Sequence, residues 1–458
     1  MATSQPALSL PLVPRKEVAV DWEGGELSSD GGWLLLALAD RQLRLTDRLA
    51  AAIEDVRTPE RIQHRLQDLL KQRIFQIAQG YEDANDAQTL RRDPLLKVAV
   101  GRGPSGPPLA GQSTLSRWEN WVTAADLERL EFVLQDLFVA QIGDKPQRVV
   151  LDFDPYDDPC HGQQQGVLFN GYYDCHCYLP MVICGTVDDG PQHLIGVVLR
   201  DGAAPPTREA AGFLTDVVTA IREKHPDVEI IMRGDAGYGV PEMMTACRGL
   251  NVRFCFGKGR NSVLLRLAEE AQARAERAEA MRQERGRRPR SCRVFDDFEY
   301  RAGKWKRAER VVVKWEITYG SPNPRFVVTD LLQTKGWTPH GVKRFYSGRG
   351  DRENRIKEFK LDMDGDRLSC SSFLANQFRL ILHAAAYLLY QALQAEIKKV
   401  APAGELAHAQ VGTLRSRFMK VAARVKERYR VVRVHLCSSF PHRVLWQTII
   451  EGLVAGVT

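Results

Sequence analysis

The sequence predicts an α/β protein: a mixed sheet flanked by helices, carrying a β-rich insertion and preceded by a mainly helical N-terminal region. Three observations support this. Between residues 147 and 262 short β-branched runs alternate with an amphipathic helical stretch. Two of those runs end in aspartate, where open α/β sheets place their sites. Before residue 140, apolar residues recur mostly at helical spacing.

In the first region "KEVAVDW" reads as a short strand. "LLLALADRQLRLTDRLAAAI" and "RIQHRLQDLLKQRIFQIAQG" read as helices. Basic residues lie between and around their apolar positions: Arg57, Arg61, Arg65, Lys71, Arg73, Arg91 and Arg92. They suit either a helical domain lying on a phosphate backbone or ordinary solvated faces. "QSTLSRWENW" opens another helix after the Gly/Pro-rich "GRGPSGPPLAGQ".

In the core "RVVLDFD", "CYLPMVICGTV" and "HLIGVVLRDG" read as strands, "REAAGFLTDVVTAIREKH" as a helix, and "VEIIMRGDAG" and "VRFCFGKG" as strands. A charged helix follows over 264–290, then a basic loop. "RVFDDFEYRAG", "KRAERVVVKWEITYG" and "PRFVVTDL" read as antiparallel strands. "SSFLANQFRLILHAAAYLLYQALQAEIKK" is a long apolar helix, and the tail from Val411 alternates basic and apolar residues.

The chain has 458 residues, a net charge of +7, and 44% hydrophobic and 26% charged residues. This is room for two or three domains in a soluble globular protein. No apolar run is long enough to span a bilayer, and "MATSQPALSLPLVPRK" lacks the form of a secretory signal. Nine cysteines without a disulfide framework suit a reducing cytoplasm. Neither a Gly-rich phosphate loop nor a nucleophile elbow is present, which argues against a metabolic α/β enzyme. "DCHC" reads as a strand with incidental cysteines, because adjacent strand residues face opposite ways. His161 reads as a loop residue or as one that supports a metal ligand without touching the metal.

The stretch "YSGRGDRENRIKEFK" raises the functional question. Taken as one helix, it places Arg349, Glu353 and Lys360 at about −60°, −20° and −40° from Tyr346, one narrow stripe. By itself this fits an ion-pair ladder. Asp154 and Asp235 end two separate strands, and three carboxylates from separated segments can converge on divalent cations.

The Tyr346, Arg349, Glu353, Lys360 pattern resembles the signature of bacterial insertion-sequence transposases of the DDE superfamily. "LDFDPYDDPCHG" and "RGDAGYG" would be its partner motifs. "GYEDANDAQTLRRDP", "TLSRWEN", "DDPCHGQQQGVLFNGYYD" and "RGDRENRIKE" are similar to the thirteen-eighty family in particular. The resemblance runs from "SSDGGWLLL" to "HLCSSFPHR".

It implies an RNase H-like core over 147–262 and 340–400, with a helix and β-rich insertion over 263–339. An N-terminal domain over 1–140 would bind the element ends, and 401–458 is a basic C-terminal region. Asp154, Asp235 and Glu353 would be the catalytic, metal-binding triad, holding two Mg²⁺ or Mn²⁺ ions. Pro155 and Tyr156 depart from the family pattern of a small residue and then threonine. Asp152, two residues earlier on the same face, is therefore a rival to Asp154. Asp157 and Asp158 read as loop residues.

Arg349 and Lys360 would hold non-bridging phosphate oxygens, and Tyr346 a phosphate or a base. Arg285, Arg287, Arg288 and Arg290 would contact DNA backbone, since five arginines fall within Arg285 to Arg293. An aromatic in the insertion holds a flipped base in related enzymes. Of Trp305, Trp315 and Trp337, at least two read as buried packing.

The implied function is a DNA transposase: it binds terminal inverted repeats, cleaves double-stranded DNA and joins 3′-OH ends to target DNA. A homodimer on DNA, in the bacterial cytoplasm with the nucleoid, is the expected setting. A nuclease with the same core, or an inactive transposase-derived DNA-binding protein, are the alternatives.

Overall fold

The computed structural model describes residues 8–14, 16–21, 23–284, 292–318 and 321–456. At 351–354, and at 8, 10, 11, 13 and 17, the description covers the backbone alone. The chain divides into two compact units. One comprises Met1–Trp121, Asp362–Asp364 and Ala385–Thr458, the other Val122–Leu361 and Gly365–Ala384.

The second unit is built on an eight-stranded mixed sheet. Its strands are β1 (Arg148–Pro155), β2 (Met181–Val187), β3 (Gln192–Val198), β4 (Glu229–Gly234), β5 (Arg253–Lys258), β6 (Cys292–Tyr300), β7 (Glu309–Thr318) and β8 (Ser321–Thr329). Their order is β6-β7-β8-β5-β4-β1-β2-β3. β4 runs parallel to both β1 and β5, and the remaining pairs are antiparallel. The inserted strands thus continue the same sheet, through the β5–β8 pair. β1, β4 and β5 are buried almost throughout, as their continuous apolar runs require. The helices Ala124–Gln141, Ala210–Lys224, Pro241–Gly249 and Glu269–Glu284 contribute to one large core with Phe153, Met232 and Phe254. Trp305 and Trp315 are buried in this core, whereas Trp337 is half-buried beneath Arg148.

"CYLPMVICGTV" forms two strands, Cys175–Tyr178 and β2, because Pro180 cannot donate to a ladder. Cys175–Tyr178 pairs in a small separate sheet with Leu168–Asn170 and Asp158–Pro159.

The first unit is mainly helical. The 34–53 run is two helices, Trp33–Leu43 and Leu45–Ala52, because Arg44 takes a left-handed conformation (φ 51°). Leu66–Ala78 carries a further correction. Arg73 is fully buried, paired with Glu119 at 2.7 Å, and donates to the carbonyls of Tyr81 and Glu82. It holds the fold rather than a phosphate. The tail forms two strands, Ala423–Arg428 and Val431–Leu436, and the helix Arg443–Ala455. No helix among the described residues is long and apolar enough to cross a membrane.

Candidate active site

The site begins at the C-terminal ends of β1 and β4. In the parallel register Arg233 pairs with Asp152 and Gly234 with Phe153. Asp235 is one step beyond Gly234, so it stands level with Asp154. Adjacent strands lie about 4.8 Å apart, which makes the two aspartates neighbours. Asp235 also caps the short turn Ala236–Tyr238, its Oδ1 accepting from the Gly237 amide at 2.8 Å.

Asp154 is 5% exposed and accepts from Arg349 Nη1 at 2.6 Å. Burial pushes its carboxyl up to about 7; Asp152 and Asp235 push the same way, and Arg349 opposes them. Concentrated negative charge in a dry place is the condition that bound cations relieve. Oxygen donors of this type suit Mg²⁺ or Mn²⁺. Among the described residues no three His, Cys, Asp or Glu side chains gather as a metal set.

The stripe expected on one helix is carried by three pieces. Pro339–Ser347 and Gly350–Lys357 are α-helices separated at Gly348 and Arg349, and Glu358–Asp362 is a π-turn. The backbone of Glu353 lies in the second helix, and its side chain is outside the described residues. The wider π-turn takes Lys360 off an α-helical spacing. Its ammonium sits 2.7 Å from the Asp157 carbonyl and 3.0 Å from Asp157 Oδ1. Arg285, Arg287, Arg288 and Arg290 lie outside the described residues.

Two structural residues set this geometry. Arg233 forks onto Asp152, Nε to Oδ1 at 2.7 Å and Nη2 to Oδ2 at 3.1 Å, with both side chains 2% exposed. Its Nη1 donates to the Phe345 carbonyl, and its guanidinium lies 4.6 Å from the Phe345 ring. A cation on a helix's last carbonyls is a favourable stop. The Asp152–Arg233 pair therefore fixes the end of the helix that carries Tyr346 and leads into the turn at Arg349.

Gly257, on β5, is the second. A Cβ there would stand 2.6 Å from Tyr346 Oη and 2.9 Å from the Ala236 amide. Its missing side chain leaves room for the Tyr346 hydroxyl beside the Asp235–Ala236 backbone. "CFGKG" held this signal, a glycine interrupting a buried strand, but nothing local linked it to a tyrosine so far along the chain.

Tyr156, where the resemblance leads one to expect threonine, is buried and donates to the Gly365 carbonyl at 2.8 Å. Its ring meets Phe359 edge-on at 6.4 Å. Asp158, read as a loop residue, pairs in the small sheet and is 1% exposed. Its carboxyl oxygens have no hydrogen-bond partner among the described residues, and burial, with Asp366 beside it, pushes it up to about 8. His161 is exposed in its loop, and Cys177 of "DCHC" is buried while His176 is exposed.

An α/β unit whose carboxylates gather at the ends of adjacent parallel strands defines a protein with an acidic site at the sheet's C-terminal edge. The transposase DDE domain group 1 family matches residues 10–455, and the chain belongs to that family. Membership implies a DNA-cleaving enzyme of the transposase class. No curated protein matches the chain.

Proposed function

We propose that the chain is an insertion-sequence transposase of the thirteen-eighty branch, with an RNase H-like core. It binds terminal inverted repeats as a homodimer, cuts double-stranded DNA and joins the 3′-OH ends to a target. The observation that carries this reading is the pair Asp154 and Asp235, level on adjacent parallel strands within a chain matched to a transposase family.

Asp154, Asp235 and Glu353 are the proposed carboxylates for two divalent cations. Bound there, the cations would neutralise phosphate charge and activate a water or 3′-hydroxyl. The chain's own groups do the positioning. Arg349, which holds Asp154 Oδ1 at 2.6 Å, is the proposed contact for non-bridging phosphate oxygens, and Tyr346 shapes the wall beside Asp235. Lys360 and the 285–290 arginines are proposed backbone contacts.

The test is cleavage and strand transfer on DNA carrying the element ends that flank the gene. Mg²⁺-dependent release of ends and their joining to target, lost in Asp154→Ala and Asp235→Ala with end binding retained, is the expected result. Cleavage without joining would make the protein a nuclease, and wild-type cleavage by either variant would remove that residue from the site.

A further inference from the structure

The helical unit holds a cleft that the proposed chemistry does not use. It has a volume of about 540 Å³, in the range of pockets that take a small molecule or a single nucleotide. Arg57, Arg61, His64, Arg117, Trp118 and Trp121 line it, and all six belong to the same unit. Trp118 is buried and forms part of the floor, while Trp121 is half-exposed.

The three arginines differ. Arg57 is already neutralised, forking onto Asp55 at 2.7 and 2.6 Å. It also donates to the His64 carbonyl and lies 5.1 Å from the Trp121 ring centroid, so it braces the wall. Arg61 ends the turn Pro59–Arg61, and Arg117 stands in the last turn of Gln112–Glu119. Both are exposed, and neither makes an ion pair among the described residues. His64 reports the local field: burial, then Arg102, Arg91 and Arg57, push its imidazole below its usual range, against Asp68.

We propose that this cleft is a DNA-strand site, in which Trp121 stacks on an unpaired base and Arg61 and Arg117 hold the flanking phosphates. The inference rests on the DNA-cleaving reading above and names a strand-holding site within the helical unit. An aromatic wall with free guanidiniums beside it is the combination that binds single strands irrespective of sequence. A base stacked within a duplex cannot reach such a wall. Strand ends, which a DNA-cutting enzyme creates, present bases that can.

The test uses the full chain in EDTA and follows anisotropy of a labelled 20-nucleotide single strand and of the matching duplex. Trp121→Leu is expected to weaken single-strand binding about tenfold and to leave the duplex within about twofold. Trp121→Phe keeps a stacking ring and should retain most of the affinity, which separates stacking from misfolding. Arg61→Gln with Arg117→Gln should flatten the log–log salt slope by about 1.4, since each phosphate contact on a single strand contributes about 0.7. If the wild type binds DNA and the arginine pair and Trp121→Leu bind as it does, the cleft proposal fails while the DNA reading stands. Equal losses on strand and duplex in Trp121→Leu would also overturn the stacking. Absence of any salt-dependent binding by the wild type would overturn the DNA reading itself.

Discussion

Asp152 and Asp154 lie two residues apart on the same face of β1, and their surroundings give them opposite work. Asp152 is in the strand's interior, where Arg233 takes both its oxygens in a fork 2% exposed. Asp154 is at the strand end, opposite Asp235, with Arg349 on one oxygen and its carboxyl pushed up to about 7. The first carboxylate is satisfied, and its pairing fixes a helix. The second is held at a cost in stability, because burial outweighs its partner. Buried charge kept against the grain of stability marks a functional position more often than a structural one.

The largest expected effect breaks the comparison at Asp154. Asp154→Asn should abolish cleavage and raise the melting temperature, since a neutral amide escapes the desolvation that the carboxylate bears. Loss of both activity and stability would show Asp154 to be a structural partner like Asp152.

Asp152→Ala should do the reverse in thermodynamic terms. It strands Arg233 without its partner, and breaking a buried pair costs about 3–5 kcal/mol. Denaturant unfolding checks this, and a loss below about 1 kcal/mol would mean that the fork is dispensable.

Gly257→Ala sharpens the comparison without touching a charge. The new Cβ would meet Tyr346 Oη and the backbone beside Asp235. A displacement of about 1 Å there should slow single-turnover cleavage by up to about 10²-fold, with DNA affinity unchanged. Wild-type rates would show that Tyr346 gives way freely.

Asp158 provides the smallest and most pH-dependent effect. Its folded carboxyl is raised to about 8, above its unfolded value, so the folded state is penalised fully above pH 8. That penalty shrinks as pH falls through 8 towards the unfolded range. Asp158→Asn should therefore stabilise by about 1–3 kcal/mol at pH 8.5, the scale of an unsatisfied buried polar group, and by progressively less on acidification. A gain that is flat between pH 5 and 8.5 would mean that the carboxyl is ionised throughout.

Local pattern determined a good deal of this protein. Apolar β-branched runs placed β1 to β5, and helical spacing placed Ala210–Lys224, because burial of one face is encoded at periods of 2 and 3.6 residues. The strand-end aspartates and the order of the motifs carried the transposase resemblance. Pairing across long sequence separations was decided only by the tertiary structure. The Arg233 fork closes over 81 residues and the Arg349–Asp154 contact over 195. No spacing rule says which of two aspartates an arginine will take. The inserted strands joined the central sheet because β5 offered β8 an open edge. Arg73 turned inward because Glu119 waited there, although its sequence neighbourhood reads as a solvated basic face. Propensity acts on neighbours in sequence, whereas charge pairing and strand register depend on which surfaces the folded chain brings together.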